Sequence, residues 1–77
     1  MSRTILPMGS TRVVLDDLPS GDLTVYHRID DRVRGIVEPI CRGRGRWEPR
    51  YRNWIIFAQF KDEVARELIT AADAYDA

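Results

Sequence analysis

The chain has 77 residues, enough for one small domain with a thin hydrophobic core. Its 12 basic and 12 acidic side chains balance, which argues against strong non-specific attachment to nucleic acid. A single cysteine excludes an internal disulfide and a cysteine-rich zinc site, and no apolar run is long enough to predict a signal peptide or a membrane span. We therefore expect a cytoplasmic protein, and a homodimer is one expected state because dimerisation commonly supports so small a core.

The charged residues are distributed unevenly along the chain. Residues 28–60 carry eight arginines against four carboxylates, a net charge of +4, whereas residues 61–77 carry two basic side chains against five carboxylates, a net charge of −3. Residues 1–27 have two arginines and three aspartates, a net charge of −1. This polarity indicates a local anion-binding face in the central part of the chain.

The N-terminal third predicts a β-hairpin that follows an irregular arm. Residues 1–11 contain proline and glycine and are predicted to be irregular, with at most a short edge strand over residues 4–6. Residues 12–15 and 23–29 are rich in β-branched and alternating apolar residues and are predicted strands. The dense turn-forming residues between them should connect the two strands as a hairpin.

The next segment predicts a helix with one obstacle. Asp30 or Asp31 is the expected N-cap, because a carboxylate can accept hydrogen bonds from the free amides of the first turn. Pro39 lies within the predicted helix, where a proline removes a backbone hydrogen bond and costs about 3 kcal/mol. We therefore expect the helix to kink or stop just before Pro39. Its apolar stripe at helical spacing is Val33, Ile36, Val37, Ile40 and Cys41.

Residues 41–57 hold both tryptophans and the strongest turn pattern of the chain, and they predict a second hairpin. Pro49 has the fixed backbone angle that suits an early turn position. Trp47 and Trp54 flank the turn and are expected to pair across the two strands. Residues 54–57 are apolar on both faces, so this strand should be covered on both sides or should offer an apolar face to a partner.

The C-terminal part predicts a helix over residues 60–74, with a frayed tail over residues 75–77. The element order is therefore β-β-α-β-β-α. We expect residues 1–77 to form a single small α+β domain, with a mostly antiparallel sheet and two helices packed on one face.

No pattern in the sequence predicts catalysis. His27 and Cys41 lie on different predicted elements, and Cys41 belongs to an apolar stripe that is typical of a core. Neighbouring aspartates in extended structure point to opposite faces, so the adjacent pairs do not predict a carboxylate dyad. No metal-ligand or phosphate-loop spacing is present. The sequence therefore predicts a protein that is not an enzyme and has no cofactor or metal.

Arginines interleaved with aromatic residues in the central hairpin predict a nucleic-acid-binding surface. The planar guanidinium binds pairs of phosphate oxygens, and aromatic rings stack with unpaired bases. Two other interpretations remain open, because the arginines could form a solvated rim or meet an anionic protein, and the tryptophans could fill the core. The candidate nucleic-acid-binding residues are Arg42, Arg44, Arg46, Trp47, Arg50, Tyr51 and Arg52.

The central hairpin also resembles a known family. The chain has a predicted strand and a short helix, followed by the run Gly45-Arg46-Trp47-Glu48-Pro49 and, before a final helix, the run Trp54-Ile55-Ile56. This arrangement resembles the HARP domain, a small module that accompanies annealing helicases. The resemblance covers about residues 22–72, with Glu48 in place of the usual aspartate. It implies binding of branched or single-stranded DNA and points to Trp47, Pro49 and Trp54.

An alternative function is a small protein-binding module, such as a phage or mobile-element inhibitor of a host complex. In that case, we expect the contact to involve strand residues 54–57 and the acidic final helix. Free-standing domains of this size often come from phages or mobile elements, where small proteins also act as inhibitors of host complexes.

Overall fold

The computed structural model describes residues 2–75, and the predicted α+β architecture is confirmed. One antiparallel sheet holds five strands in the order β1-β2-β3-β5-β4. The strands are β1 (Arg3–Met8), β2 (Thr11–Asp17), β3 (Leu23–Tyr26), β4 (Gly45–Glu48) and β5 (Asn53–Ile56), and the helices are α1 (Asp31–Cys41) and α2 (Lys61–Tyr75). None of the helices in this part of the chain is both long and apolar enough to cross a membrane.

The first strand corrects the prediction of an irregular N-terminal arm. Residues 3–8 pair with β2 through six residue pairs, from Arg3 opposite Asp16 to Met8 opposite Thr11. Met8 is fully buried, and burial of such a side chain contributes about 1.5–3 kcal/mol. The proline in β1 is tolerated because this is an edge strand. The element order is therefore β-β-β-α-β-β-α, one strand more than predicted.

The third strand is shorter than predicted, and three residues separate its end from the N-cap of α1. The strand ends at Tyr26, and Ile29, the last residue of the predicted strand, is 81% exposed. Asp30 is the N-cap, and its side chain accepts hydrogen bonds from the amides of Arg32 and Val33 at 3.1 Å. Residues 27–30 therefore form the connection to the helix.

The first helix continues through Pro39 to Cys41, so the prediction that it kinks or stops before the proline is wrong. Pro39 is exposed, and the bond it cannot make would go to the carbonyl of Gly35, which is also exposed and can be hydrated. Beyond the proline, the amide of Arg42 donates to the Glu38 carbonyl at 2.8 Å. Complete burial of Cys41 offsets part of the cost of the proline.

The second helix follows a short 3₁₀ turn, Ala58–Phe60, and agrees with the prediction within one residue at each end. Of the predicted frayed tail, Tyr75 is the last residue of α2, and residues 76–77 lie outside the described part of the chain.

The core lies between one face of the sheet and the two helices. Alternation along the strands places the buried side chains on that face, and the apolar stripes of the helices complete the core. On the opposite face, Ile5 and Tyr26 are 49% and 43% exposed. The buried apolar residues are Leu6, Met8, Val13, Leu15, Leu23, Val25, Val33, Val37, Cys41, Ile56, Val64 and Leu68.

Candidate nucleic-acid interface

The predicted central hairpin is present, and its two tryptophans pair across the strands. Trp47 lies opposite Trp54 in the register of β4 and β5. Their ring centroids are 5.6 Å apart and the rings are inclined at 68°, an edge-to-face arrangement. Such a pair contributes about 0.5–1.5 kcal/mol beyond the burial of its area. The partly buried Trp54 packs against the core, whereas Trp47 is 48% exposed, so the core-packed ring fixes the position of the exposed one.

A glycine at the start of the hairpin allows β4 to approach β5 closely. A Cβ atom added to Gly45 would lie 2.8 Å from the Cα atom of Ile56 and in closer overlap with the Ile55 carbonyl. Only glycine leaves room for these backbone atoms. This close approach fixes the strand that presents Trp47.

The turn of the hairpin, residues 49–52, is closed by Glu48. Its carboxylate accepts hydrogen bonds from the amide of Arg50 at 3.2 Å and from the guanidinium of Arg46 at 3.0 Å. The hydrogen bond from Arg46 and, to a lesser extent, that from the Arg50 amide lower the pKa of Glu48, because they stabilise its charged form. Arg52 ends the turn with a φ of +52°, in the left-handed region that a non-glycine residue rarely adopts.

Arg44, one of the predicted nucleic-acid-binding residues, is engaged by carboxylates of the protein itself. Its guanidinium donates to Glu67 at 2.5 Å and lies 3.1 Å from a carboxylate oxygen of Glu63, both on α2. The hydrogen bond from Arg44 lowers the pKa of Glu67. The Arg44 side chain is only 25% exposed. We conclude that Arg44 connects the start of the hairpin to α2.

Arg42 and Arg46 also have carboxylate partners, but these pairs lie at the surface. Arg42 contacts Glu38 at 2.6 Å, and Arg46 contacts Glu48 at 3.0 Å. Both arginine side chains are more than half exposed, and exposed pairs of this kind are worth about 0–1 kcal/mol. A phosphate could compete for these guanidiniums, but their charge is already balanced locally.

The remaining candidates form a cluster at the end of the hairpin, which we call the hairpin tip (Trp47, Arg50, Tyr51 and Arg52). Within residues 2–75, neither Arg50 nor Arg52 forms an ion pair. Tyr51 is 63% exposed, and both arginines are exposed. A side-chain carboxylate already contacts each of the other three predicted arginines, Arg42, Arg44 and Arg46, so the proposal below rests on the hairpin tip.

Beside the hairpin tip, the structure forms a cleft that the sequence did not predict. It has a volume of about 620 Å³ and lies at the end of the sheet where β3 finishes and β5 begins, at the pair Tyr26 and Asn53. Its lining includes Trp47 and Arg52 from the hairpin, Arg28 from the connection after β3, and Arg34 from α1. Only the pairing of β3 with β5 brings these residues together, so no local pattern could have revealed them.

The residues considered for catalysis do not form a reactive group. Burial raises the pKa of the Cys41 thiol to about 12, partly opposed by the charge of Arg44, so the thiol is protonated at neutral pH and is a poor nucleophile. His27 directs its Nδ1 atom to the carbonyl of Arg28 at 2.8 Å. Between Ser2 and Tyr75, no group of three or more histidine, cysteine or carboxylate side chains is placed to hold a metal ion.

Comparison of the chain with protein-family models, with curated proteins and with solved structures finds no match. The resemblance to the HARP domain thus stays a prediction, and the function is argued below from the geometry alone.

Proposed function

We propose that this chain is a small non-enzymatic module that binds single-stranded nucleic acid through the hairpin tip. The observation that carries the proposal is the grouping of two exposed aromatic rings with two exposed guanidiniums that have no ion pair among the described residues. Bases stack on aromatic rings with about 1–3 kcal/mol per base, and arginines neutralise the phosphates between them. The hairpin tip offers both kinds of contact within one turn.

Preorganisation supports this assignment. The edge-to-face contact with Trp54 and the close approach at Gly45 hold Trp47 in place. A platform that is already ordered loses less conformational entropy on binding than a mobile loop would. The engaged Arg44 contributes in the same way, because it fixes the base of the hairpin against α2.

The balanced charge of the chain sets the expected strength of binding. Since net charge is zero, the long-range attraction to a polyanion is weak, and affinity should depend on the few contacts at the hairpin tip. Binding should therefore be modest and should weaken as salt is added.

A binding assay with matched variants tests the proposal. A fluorescent single-stranded oligonucleotide of about 12 nucleotides covers the site sizes of small single-strand binding domains. We expect Tyr51→Ala to weaken binding about tenfold through the loss of one stacked base, measured by fluorescence anisotropy at low salt. Arg66→Gln is the control, because Arg66 is an exposed arginine on α2, and it should bind as the wild type does. Equal affinity of the Tyr51→Ala variant would contradict the assignment.

The alternative of a protein-binding module is favoured by one observation, the uncovered apolar side chains. Of residues 54–57, Ile56 is fully buried and Trp54 packs against the core, which leaves Phe57, 43% exposed, and the half-buried Ile55. Ile69 on α2 is 41% exposed. If the chain binds no oligonucleotide at low salt, this alternative becomes the better account.

A further inference from the structure

The geometry points to a nucleotide-binding subsite in the cleft between the hairpin tip and the start of α1. We propose that it takes one unpaired nucleotide of a single strand, with the base against Trp47 and the adjoining phosphate between Arg28 and Arg52. The inference rests on the proposed function and extends it, since it names a second group of residues that the strand would contact.

The walls of the cleft come from four parts of the fold that meet at one end of the sheet. Ser10 and Thr11 come from the β1–β2 turn and the start of β2, residues 26–30 come from the end of β3 and the connection to α1, and α1 and the hairpin complete the rim. A volume of about 620 Å³ lies within the range of about 300–1,000 Å³ that small-molecule sites occupy. The cleft is therefore large enough for a base and its phosphate but borders directly on the hairpin tip.

The aromatic part of the cleft is suited to an unpaired base. Trp47 lines it and is 48% exposed. Trp54 supports the Trp47 ring edge-to-face, so the indole is fixed while nearly half of its surface remains open. A base within a duplex is stacked between its neighbours and cannot reach such a ring, which predicts a preference for single strands.

The arginines of the cleft are available to a phosphate. Neither Arg28 nor Arg52 makes an ion pair with another residue in the range 2–75. Arg34 has only a distant contact with Asp31, 3.7 Å long and exposed on both sides. Such an exposed contact contributes little and can be exchanged for a phosphate.

The carboxylates of the cleft limit how much negative charge it can hold. Asp30 already accepts hydrogen bonds from two amides of α1 and from the hydroxyl of Thr11 at 2.5 Å. The hydrogen bond from Thr11 is the main cause of its lowered pKa, so Asp30 is charged at neutral pH. With Asp30 and Asp31, two carboxylates oppose three arginines. This small excess of positive charge fits one nucleotide and not a long run of phosphates.

Two variants confined to the cleft test the subsite. We expect Arg28→Gln and Arg34→Gln each to raise the Kd for a single-stranded oligonucleotide about fivefold, with oligothymidylate and oligouridylate as the DNA and RNA probes. Arg66→Gln is again the matched control and should leave the Kd unchanged. Both cleft arginines are exposed, so the variants should fold, and their melting temperatures should equal that of the wild type.

Tryptophan fluorescence gives a second readout of the same contact. Stacking of a base on Trp47 should quench the emission of the wild type, and Trp47→Phe, which keeps an aromatic ring, should remove most of that quenching. Quenching that persists in Trp47→Phe would overturn the inference, as would a duplex that binds as tightly as the single strand.

The outcomes separate the subsite from the proposed function. If the wild type binds and Tyr51→Ala weakens binding, but Arg28→Gln and Arg34→Gln behave like Arg66→Gln, the subsite is wrong and the proposed function stands. If neither oligonucleotide binds at low salt, both are overturned.

Discussion

At the scale of single residues, the chemistry of the hairpin depends on which side chains the protein itself engages. Arg44 and Arg50 are only six positions apart and look equivalent in the sequence, yet the Arg44 guanidinium lies between two carboxylates of α2, whereas the Arg50 guanidinium forms no ion pair in the described chain. The difference arises because α2 packs beside the start of the hairpin and not beside its end. Positive charge in a sequence therefore identifies arginines that are candidates for anion binding, whereas the packing of a distant helix decides which of them already have a carboxylate partner.

Two glycines give a prediction at this scale. We expect Gly45→Ala to destabilise the protein by about 3 kcal/mol, because the added Cβ overlaps the backbone of β5 and overpacking against backbone has few means of relief. Gly35→Ala is the control, since no atom lies within 4 Å of its added Cβ, and it should stabilise α1 by about 0.5–1 kcal/mol. Urea denaturation of both variants measures the two changes. A mild effect at Gly45 would show that β4 does not approach β5 as described.

At the scale of elements, local patterns predicted those parts of the fold whose partners are near in sequence. The N-cap at Asp30, the apolar stripe of α1 and the pairing of Trp47 with Trp54 all follow from the spacing of a few neighbouring residues. Edge strand β1 did not follow, because Pro7 and Gly9 disfavour a strand locally and its pairing with β2 outweighs them. The passage of α1 through Pro39 has a similar origin, since burial of Cys41 beyond the proline offsets part of a local penalty.

The connection between the hairpin and α2 gives a prediction at this scale. We expect Arg44→Gln to lower the melting temperature, because it leaves Glu63 and Glu67 close together without their shared cation. Arg50→Gln should change stability by less than about 0.5 kcal/mol, as is usual for a surface substitution. Thermal unfolding followed by circular dichroism compares the two. Equal melting temperatures would mean that Arg44 does not hold the hairpin against the helix.

At the scale of the whole molecule, the net charge is balanced, but the charged and aromatic side chains are unevenly distributed over the surface. One face of the sheet carries the core and both helices, and the edge formed by the hairpin tip and the cleft gathers exposed arginines and aromatic rings. The sequence indicated the basic central segment but not the cleft, because Arg28 joins Arg52 only through the pairing of β3 with β5. The cleft depends on the order of strands that are distant in sequence, and composition and residue spacing do not predict that order.

The salt dependence of binding tests the central claim most directly. The affinity for a single-stranded oligonucleotide should be measured by fluorescence anisotropy over a range of salt concentrations, for the wild type and for Arg50→Gln/Arg52→Gln. Each phosphate neutralised contributes about −0.7 to the slope of log K against log salt, so the double variant should have a slope shallower by about 1.4. An unchanged slope in the double variant, or a wild type that does not bind at low salt, would contradict the account.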